Sequence, residues 1–196
     1  MKLTLIRHGR TAWNEKGWVQ GQADPPLNAK GKQQARELAE QMSEKISHYD
    51  AIFSSPMQRA FETAEIVRGS AEVSIDMDKR LVSRKLGKFS GMTLEAIEQE
   101  YPELYDLWIK GSPEFTPPGG ESTAEVIKRT MDFLKDLKSR RQENDIILIV
   151  THRESIGIIH FIIQGQMMVD PLRKIKNCIA LDYEFDEISS TMDTIE

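Results

Sequence analysis

Cysteine is almost absent: Cys178 stands alone among 196 residues. A single cysteine cannot close an internal disulfide, and no Cys/His spacing resembles a metal-ligand cluster, which excludes a disulfide scaffold or a zinc module. Long apolar runs are missing as well. The opening Met1-Lys2-Leu3-Thr4-Leu5-Ile6 meets Arg7 at once, too short for a signal-peptide apolar region. No later run approaches the roughly 18 residues of a membrane span. A reducing, cytoplasmic location is the expectation. Positive charge is not in excess either: the net charge is −5, so bulk electrostatics repel nucleic acid and anionic membranes, and neither is expected as a partner. A phosphate ligand would have to find its cations gathered locally. There is no internal repeat and no low-complexity stretch. What remains is 39% hydrophobic and 29% charged residues, the composition of a folded globular chain. The length suits one domain spanning 1–196, able to bury roughly 70% of the surface that the unfolded chain exposes.

The apolar run Leu3 to Ile6 reads as a buried strand. Asn28 can cap a helix over Ala29 to Ile46. Ala51 to Phe53 reads as a second strand, and Pro56 fits the first turn of a helix running to about Arg68. A third strand is expected at Val73 to Ile75. Residues 80–120, punctuated by Pro102, Pro113, Pro117, Pro118, Gly119 and Gly120, are expected to be irregular, with short helices at Leu94 to Ile97 and Glu103 to Ile109. Ser122-Thr123-Ala124-Glu125 has capping-box spacing, and the apolar residues behind it predict a helix to about Arg141. Ile146-Ile147-Leu148-Ile149-Val150 is the clearest buried strand, followed by a helix over Glu154 to Gln164. The tail from Cys178 to Glu196 reads as two antiparallel edge strands, which could pair between chains or simply end the sheet; monomer and homodimer are both open. Alternating strands and helices predict an α/β fold with a mostly parallel central sheet, helices on both faces and one antiparallel edge. Ligands of such sheets bind beyond the carboxyl ends of the strands.

Two expected strands end in residues with suitable chemistry. The first runs into Arg7-His8-Gly9, the last into Thr151-His152-Arg153. Phosphoryl transfer needs cations around the equatorial oxygens and an in-line nucleophile. Arginine binds phosphate bidentately and keeps its charge, and neutral imidazole can form a covalent intermediate. Gly9 lets the backbone approach closely. Arg59 lies near the start of the helix after the second strand, where the dipole also favours an anion. An isolated Arg-His-Gly is a weak signal; its weight comes from these groups falling at one edge of one sheet. His48 and His160 read as solvated or structural.

The run Leu5-Ile6-Arg7-His8-Gly9-Arg10-Thr11-Ala12-Trp13-Asn14 resembles the signature of the histidine phosphatase superfamily, the phosphoglycerate mutase-like fold. The resemblance continues through Gly21-Gln22-Ala23-Asp24, Pro26-Leu27-Asn28, Gly31-Lys32-Gln33-Gln34-Ala35, Ser54-Ser55-Pro56, Arg59-Ala60, Thr63-Ala64, Leu86-Gly87, Gly91-Met92-Thr93, Pro118-Gly119-Gly120-Glu121-Ser122 and Val150-Thr151-His152, nearly the whole chain. It implies that His8 is phosphorylated and that Arg7, Arg59 and His152 clasp the transferred group. Asn14 would contact its oxygens, with Thr11 and Gly9 supporting the pocket and Thr63-Ala64 serving helix packing alone. Glu121 is implied at the rim, although its place before a capping box explains it equally well. Residues 79–120 would form a lid or substrate insert. No metal or organic cofactor is implied, and the partner is a small phosphorylated metabolite.

The sequence departs from the family pattern at the proton donor. The glutamate usual before the Leu-Gly pair is Ser83, the glutamate usual before Gly91 is Ser90, and the small residue usual after the second histidine is Arg153. A general acid typically contributes about 10²–10⁴-fold, most for poor leaving groups. Glu154 is the replacement that spacing favours, with Glu121 and Asp78 weaker. Arg84, Lys85 and Arg153 could favour a multiply anionic ligand, with ordinary surface charge the simpler account of Arg84 and Lys85. The expected activity is a metal-independent phosphomonoesterase of the broad-specificity or α-ribazole phosphatase kind. A mutase-type phosphotransferase and a non-catalytic phospholigand-binding protein are the alternatives.

Overall fold

The computed structural model describes residues 1–165 and 175–188. Strands β1 (Lys2–Arg7), β2 (Ala51–Ser54), β3 (Ile75–Met77), β4 (Ile146–Thr151) and β5 (Ala180–Glu184) form one sheet in the order β3-β2-β4-β1-β5. The first four run parallel and β5 pairs antiparallel with β1. This is the expected α/β sheet with one antiparallel edge. The second tail strand lies outside the described residues.

Alternation along the strands sorts the sheet into two faces. Leu3, Leu5, Ile147 and Ile149 turn to one side and pack with α6 (Thr123–Arg140) and α7 (Arg153–Gln164) through Val126, Phe133, Leu134, Ile156 and Ile159. Ile6, Leu148 and Val150 turn to the other and meet α2 (Ala29–Met42) and α3 (Gln58–Arg68) through Leu38, Ala60, Ala64 and Val67. Most of these side chains are fully buried, each contributing roughly 1.5–3 kcal/mol of hydrophobic stabilisation. A third cluster, Val19, Leu86, Phe89, Ile97, Trp108 and Phe115, joins the region after β3 to α4 (Leu94–Glu100) and α5 (Pro102–Ile109).

Several boundaries differ from expectation for local reasons. Helix α2 stops at Met42, and a 3-10 turn at Ile46–His48 follows. Strand β3 lies two residues later than expected because Ile52 pairs with Ile75 and Ser54 with Met77. Pro56 precedes α3 rather than entering it: Met57 is the cap residue, and its amide donates to Ser55 Oγ at 3.3 Å. A short helix not expected from sequence, α1 (Ala12–Glu15), begins at Thr11, which forms a reciprocal cap with Asn14. The capping boxes at Thr11 and Ser122 satisfy amides that a helix start leaves unpaired.

Candidate active site

Three parallel strands end at one level. Register pairs Arg7 with Thr151 and Ser54 with Val150, so His8, Ser55 and His152 leave the sheet side by side. Backbone bonds hold that edge closed: His8 N donates to Thr151 O and Ser55 N to Val150 O, both at 3.0 Å. The His8 and His152 rings are 5.2 Å apart at 59°.

His8 is 4% exposed. Its Nδ1 is 2.7 Å from Gly9 O. A carbonyl oxygen only accepts, so Nδ1 carries the proton and Nε2 keeps its lone pair. Burial, with the charges of Arg59 and Arg7, pushes His8 well below the usual histidine range, and His152 is depressed chiefly by burial and Arg59. Both rings are therefore neutral at pH 7. His152 Nε2 lies 2.9 Å from Ser55 Oγ. The contact holds the His152 ring in place whichever partner donates.

Nδ1 of His152 and the Nε atoms of Arg7 and Arg59 are buried without a partner among the described residues. Orphaned buried donors cost about 1–3 kcal/mol each, a cost that a tetrahedral anion removes. Arg7 is depressed to about 9 by burial, Arg153 and Arg59, and Arg59 to about 10 by burial against the opposing pull of Asp24. Both remain cationic at neutral pH. The rest of each guanidinium is tied to the scaffold: Arg7 Nη1 donates to Ile175 O, and Arg59 donates to Gly21 O at 2.9 Å and Ala23 O at 2.8 Å.

The cavity here, about 520 Å³, is lined by seven of the expected residues: Arg7, His8, Asn14, Arg59, His152, Arg153 and Glu154; Ser83 lines it too. Asn14 Oδ1 accepts from Thr11 N and Oγ1, which fixes the amide. Thr11 and Gly9, also expected at the site, do not line the cavity. Gly9 N donates to Thr63 Oγ1 at 3.0 Å, so Thr63, expected to serve packing alone, anchors the loop that follows His8. Glu121 does not line the cavity; it pairs with Arg129 at 2.7 Å. Asp78 is bound to Arg80.

Arg84 departs from both expectations. It is neither surface charge nor a ligand group: it is 2% exposed and ion-paired with Glu154 at 2.9 Å. It also donates to Thr123 Oγ1 at 3.0 Å and lies over the Phe115 ring. Trp108 Nε1 donates to the same Glu154 oxygen at 3.3 Å. Lys85 is exposed and does not line the cavity. Ser90 Oγ donates to Gln20 O at 2.9 Å, bracing the loop that Gln20 and Gly21 add to the cavity wall.

Sequence reasoning missed Ser55, Gln20 and the segment Ile175, Lys176 and Asn177, whereas Trp18 and Trp108, weighed as pocket-lining against plain packing, do line the cavity. Asn177 Nδ2 donates to His8 O at 2.8 Å across 169 positions, a contact for which local sequence carries no signal. Ser55 had one, since a hydroxyl at the end of a buried parallel strand lies at the ligand edge.

The family model of the histidine phosphatase superfamily, branch 1, matches residues 3–193. The chain belongs to that superfamily. A phosphohistidine mechanism is general to it, and its members here include proteins named as phosphatases and as mutases. Phosphoserine phosphatase 1 of Hydrogenobacter thermophilus is 34% identical over 152 residues, 78% of this chain and 71% of that protein. A probable phosphoglycerate mutase, GpmB of Escherichia coli O1:K1 / APEC, is 29% identical over 189 residues, 95% of this chain and 86% of that protein. The solved structure of Bacillus stearothermophilus YhfR is 29% identical with a TM-score of 0.81, covering 96% of this chain and 95% of that one. Among the described residues, no helix is long and apolar enough to cross a membrane.

Proposed function

We propose that this chain is a metal-independent phosphomonoesterase that acts on a small phosphorylated metabolite in the cytoplasm through a phosphohistidine at His8. The observation that carries the reading is a neutral His8 whose Nε2 lone pair is free, set among nitrogens of Arg7, Arg59 and His152 that are buried and unpartnered among the described residues. Those groups take the equatorial oxygens. His8 Nε2 attacks phosphorus, the N–P bond forms and the P–O bond to the leaving group breaks. Charge developing on the oxygens meets cations already in place, so little reorganisation is needed. Water then attacks the phosphohistidine, releasing phosphate and restoring the imidazole.

Each half-reaction moves one proton, and Ser83 cannot carry it. Glu154 is the one carboxylate lining the cavity among the described residues, held by Arg84 and Trp108. In this reading Glu154 relays that proton, passing one to the leaving alkoxide and recovering one from the attacking water. Residues 79–120, which contribute Leu86, Leu94 and Trp108 to the wall, act as the substrate insert.

The test is hydrolysis of p-nitrophenyl phosphate without added metal. The natural protein is expected to turn over, and His8→Ala to lose at least about 10³-fold, as for removal of a covalent nucleophile. Equal activity in both would sink the assignment of His8, and activity in neither would favour a phospholigand-binding protein. Glu154→Gln is expected to lower turnover of an alkyl phosphate about 10²-fold while changing the aryl ester less than about three-fold, because p-nitrophenolate leaves unprotonated. Unchanged alkyl turnover would remove Glu154 from the chemistry. The relatives named as mutases favour one second reading, phosphoryl transfer within a phosphoglycerate. Incubation with 3-phosphoglycerate separates the two: free phosphate marks the hydrolase, 2-phosphoglycerate the mutase.

A further inference from the structure

The charge around the cavity exceeds what one phosphoryl group needs. Six lining residues are Arg or Lys, against one acid, Glu154, which Arg84 already neutralises. This occurs in a chain whose net charge is −5. Arg7 and Arg59 belong to the phosphoryl cradle. Arg10, Lys30, Lys176 and Arg153 are left over.

Their placement is one-sided. Lys30 and Gln34 lie one turn apart on α2 and share a face. Gln34 Oε1 accepts from Arg10 N at 3.1 Å, which sets Arg10 against that face. Lys176 follows Ile175, whose carbonyl accepts from Arg7, and precedes Asn177, which donates to His8 O. The lysine is thus anchored from both sides next to the nucleophile. Arg153 lies close enough to depress both Arg7 and His8. The other wall is apolar: Val19, Leu86, Leu94 and Trp108. Among the described residues, the carboxylate paired with this group is Glu15, 3.8 Å from Arg10 and about half exposed. Lys30 and Lys176 are exposed to the water that an incoming anion would displace.

Resting on the phosphatase reading, we propose that Arg10, Lys30 and Lys176 form a second anion subsite, and that the substrate is a phosphomonoester bearing a second anionic group, a phosphate or a carboxylate. A cavity of about 520 Å³ holds a metabolite of that size. The cations bind the second group without touching the reacting phosphorus, so the subsite selects substrates by charge and steers them into the cradle.

Binding measured on His8→Ala protein reads the subsite without turnover. Three six-carbon probes share a 6-phosphate: glucose 6-phosphate has no second anion, 6-phosphogluconate adds a carboxylate, and fructose 1,6-bisphosphate adds a phosphate. Calorimetric titration is expected to show at least one of the last two binding about ten-fold tighter than glucose 6-phosphate, the sum of a few partly solvated ion pairs. Whichever of the two gains more identifies the second group. Adding Lys30→Met and Lys176→Met is expected to shrink that advantage below about three-fold. Equal affinity for all three probes, or an advantage that survives the double substitution, overturns the subsite. Failure of the natural protein to hydrolyse any ester would overturn the phosphatase reading separately and leave these affinities to judge the subsite.

Discussion

Replacing Arg84 by Met tests whether the ion pair behind the site holds the wall together. The Met side chain keeps an unbranched apolar stem over Phe115, where the guanidinium now lies 5.0 Å from the ring centroid. It removes the charge and the bonds to Glu154 at 2.9 Å and Thr123 at 3.0 Å. Glu154, 19% exposed at the side chain, would keep one protein donor, Trp108 Nε1. Removing one partner of a buried pair costs about 3–5 kcal/mol, and the partial exposure of Glu154 places this case near the lower end. A loss of about 3 kcal/mol in a chain of this size corresponds to roughly 6–12 °C in Tm. Urea unfolding followed by tryptophan fluorescence measures it. A cycle with Glu154→Gln isolates the pair: the double variant is expected to lose about 1–2 kcal/mol less than the sum of the singles. A loss below about 0.5 kcal/mol for Arg84→Met, or no coupling in the cycle, would refute the claim that this pair carries stability.

The two active-site imidazoles make stability depend on pH in a defined direction. Both are depressed in the folded state, so below the ordinary value of 6.5 the unfolded chain binds protons that the folded one does not. Their penalty is absent above that pH and grows as pH falls, by up to about 1.4 kcal/mol per pH unit for each histidine. Unfolding at pH 7.5 and pH 5.5 should show the natural protein losing more stability than His8→Asn/His152→Asn; an equal loss in both would place the effect elsewhere. Gly31 packs against residues 9–10 at backbone distance, where an added Cβ would sit 2.1 Å from Arg10 O. Gly31→Ala is expected to cost about 2 kcal/mol or more, and to lower turnover, because that segment carries the Gly9 carbonyl that fixes the His8 tautomer. Unchanged urea midpoint and unchanged turnover in this variant would refute the contact.

What was legible in the sequence was what repeats locally or ends abruptly. The apolar runs at 3–6 and 146–150 announced buried parallel strands, and the residues that stop them, His8 and His152, are the ones the sheet brings together. Ser122 to Glu125 announced the start of α6 by spacing alone. Boundaries set by partners were not legible. The third strand sits at 75–77 because it must register with β2, and α3 starts after Pro56 because Met57 stays extended at the cap position with its amide bonded to Ser55 Oγ. The larger error was Arg84, read as a cation free to meet solvent or ligand. Nothing in Ser83-Arg84-Lys85 says that Phe115, Thr123 and Glu154 close around the middle residue; those partners lie 31, 39 and 70 positions away.

That burial changes how the missing glutamate is understood. Seen as a sequence, Ser83 is a deletion in a catalytic set, and Glu154 is a carboxylate with convenient spacing. In the folded chain the two observations belong to one arrangement. A carboxylate entering the cavity from the first turn of α7, beside His152, meets a helix N-terminus that favours its charge. It also meets an arginine from the residue next to Ser83 and an indole from the insert. An unpaired acid in that wall would be costly, and an unpaired Arg84, 2% exposed, costlier still. Neither charge could therefore be lost or gained alone without destabilising the wall. The carboxylate that reaches the cavity comes from the helix after β4, while the loop after β3 contributes Ser83 to the same wall. If Glu154→Gln spares alkyl phosphate turnover, the same geometry would mean that the pair serves the wall alone, and the proton would have to come from solvent.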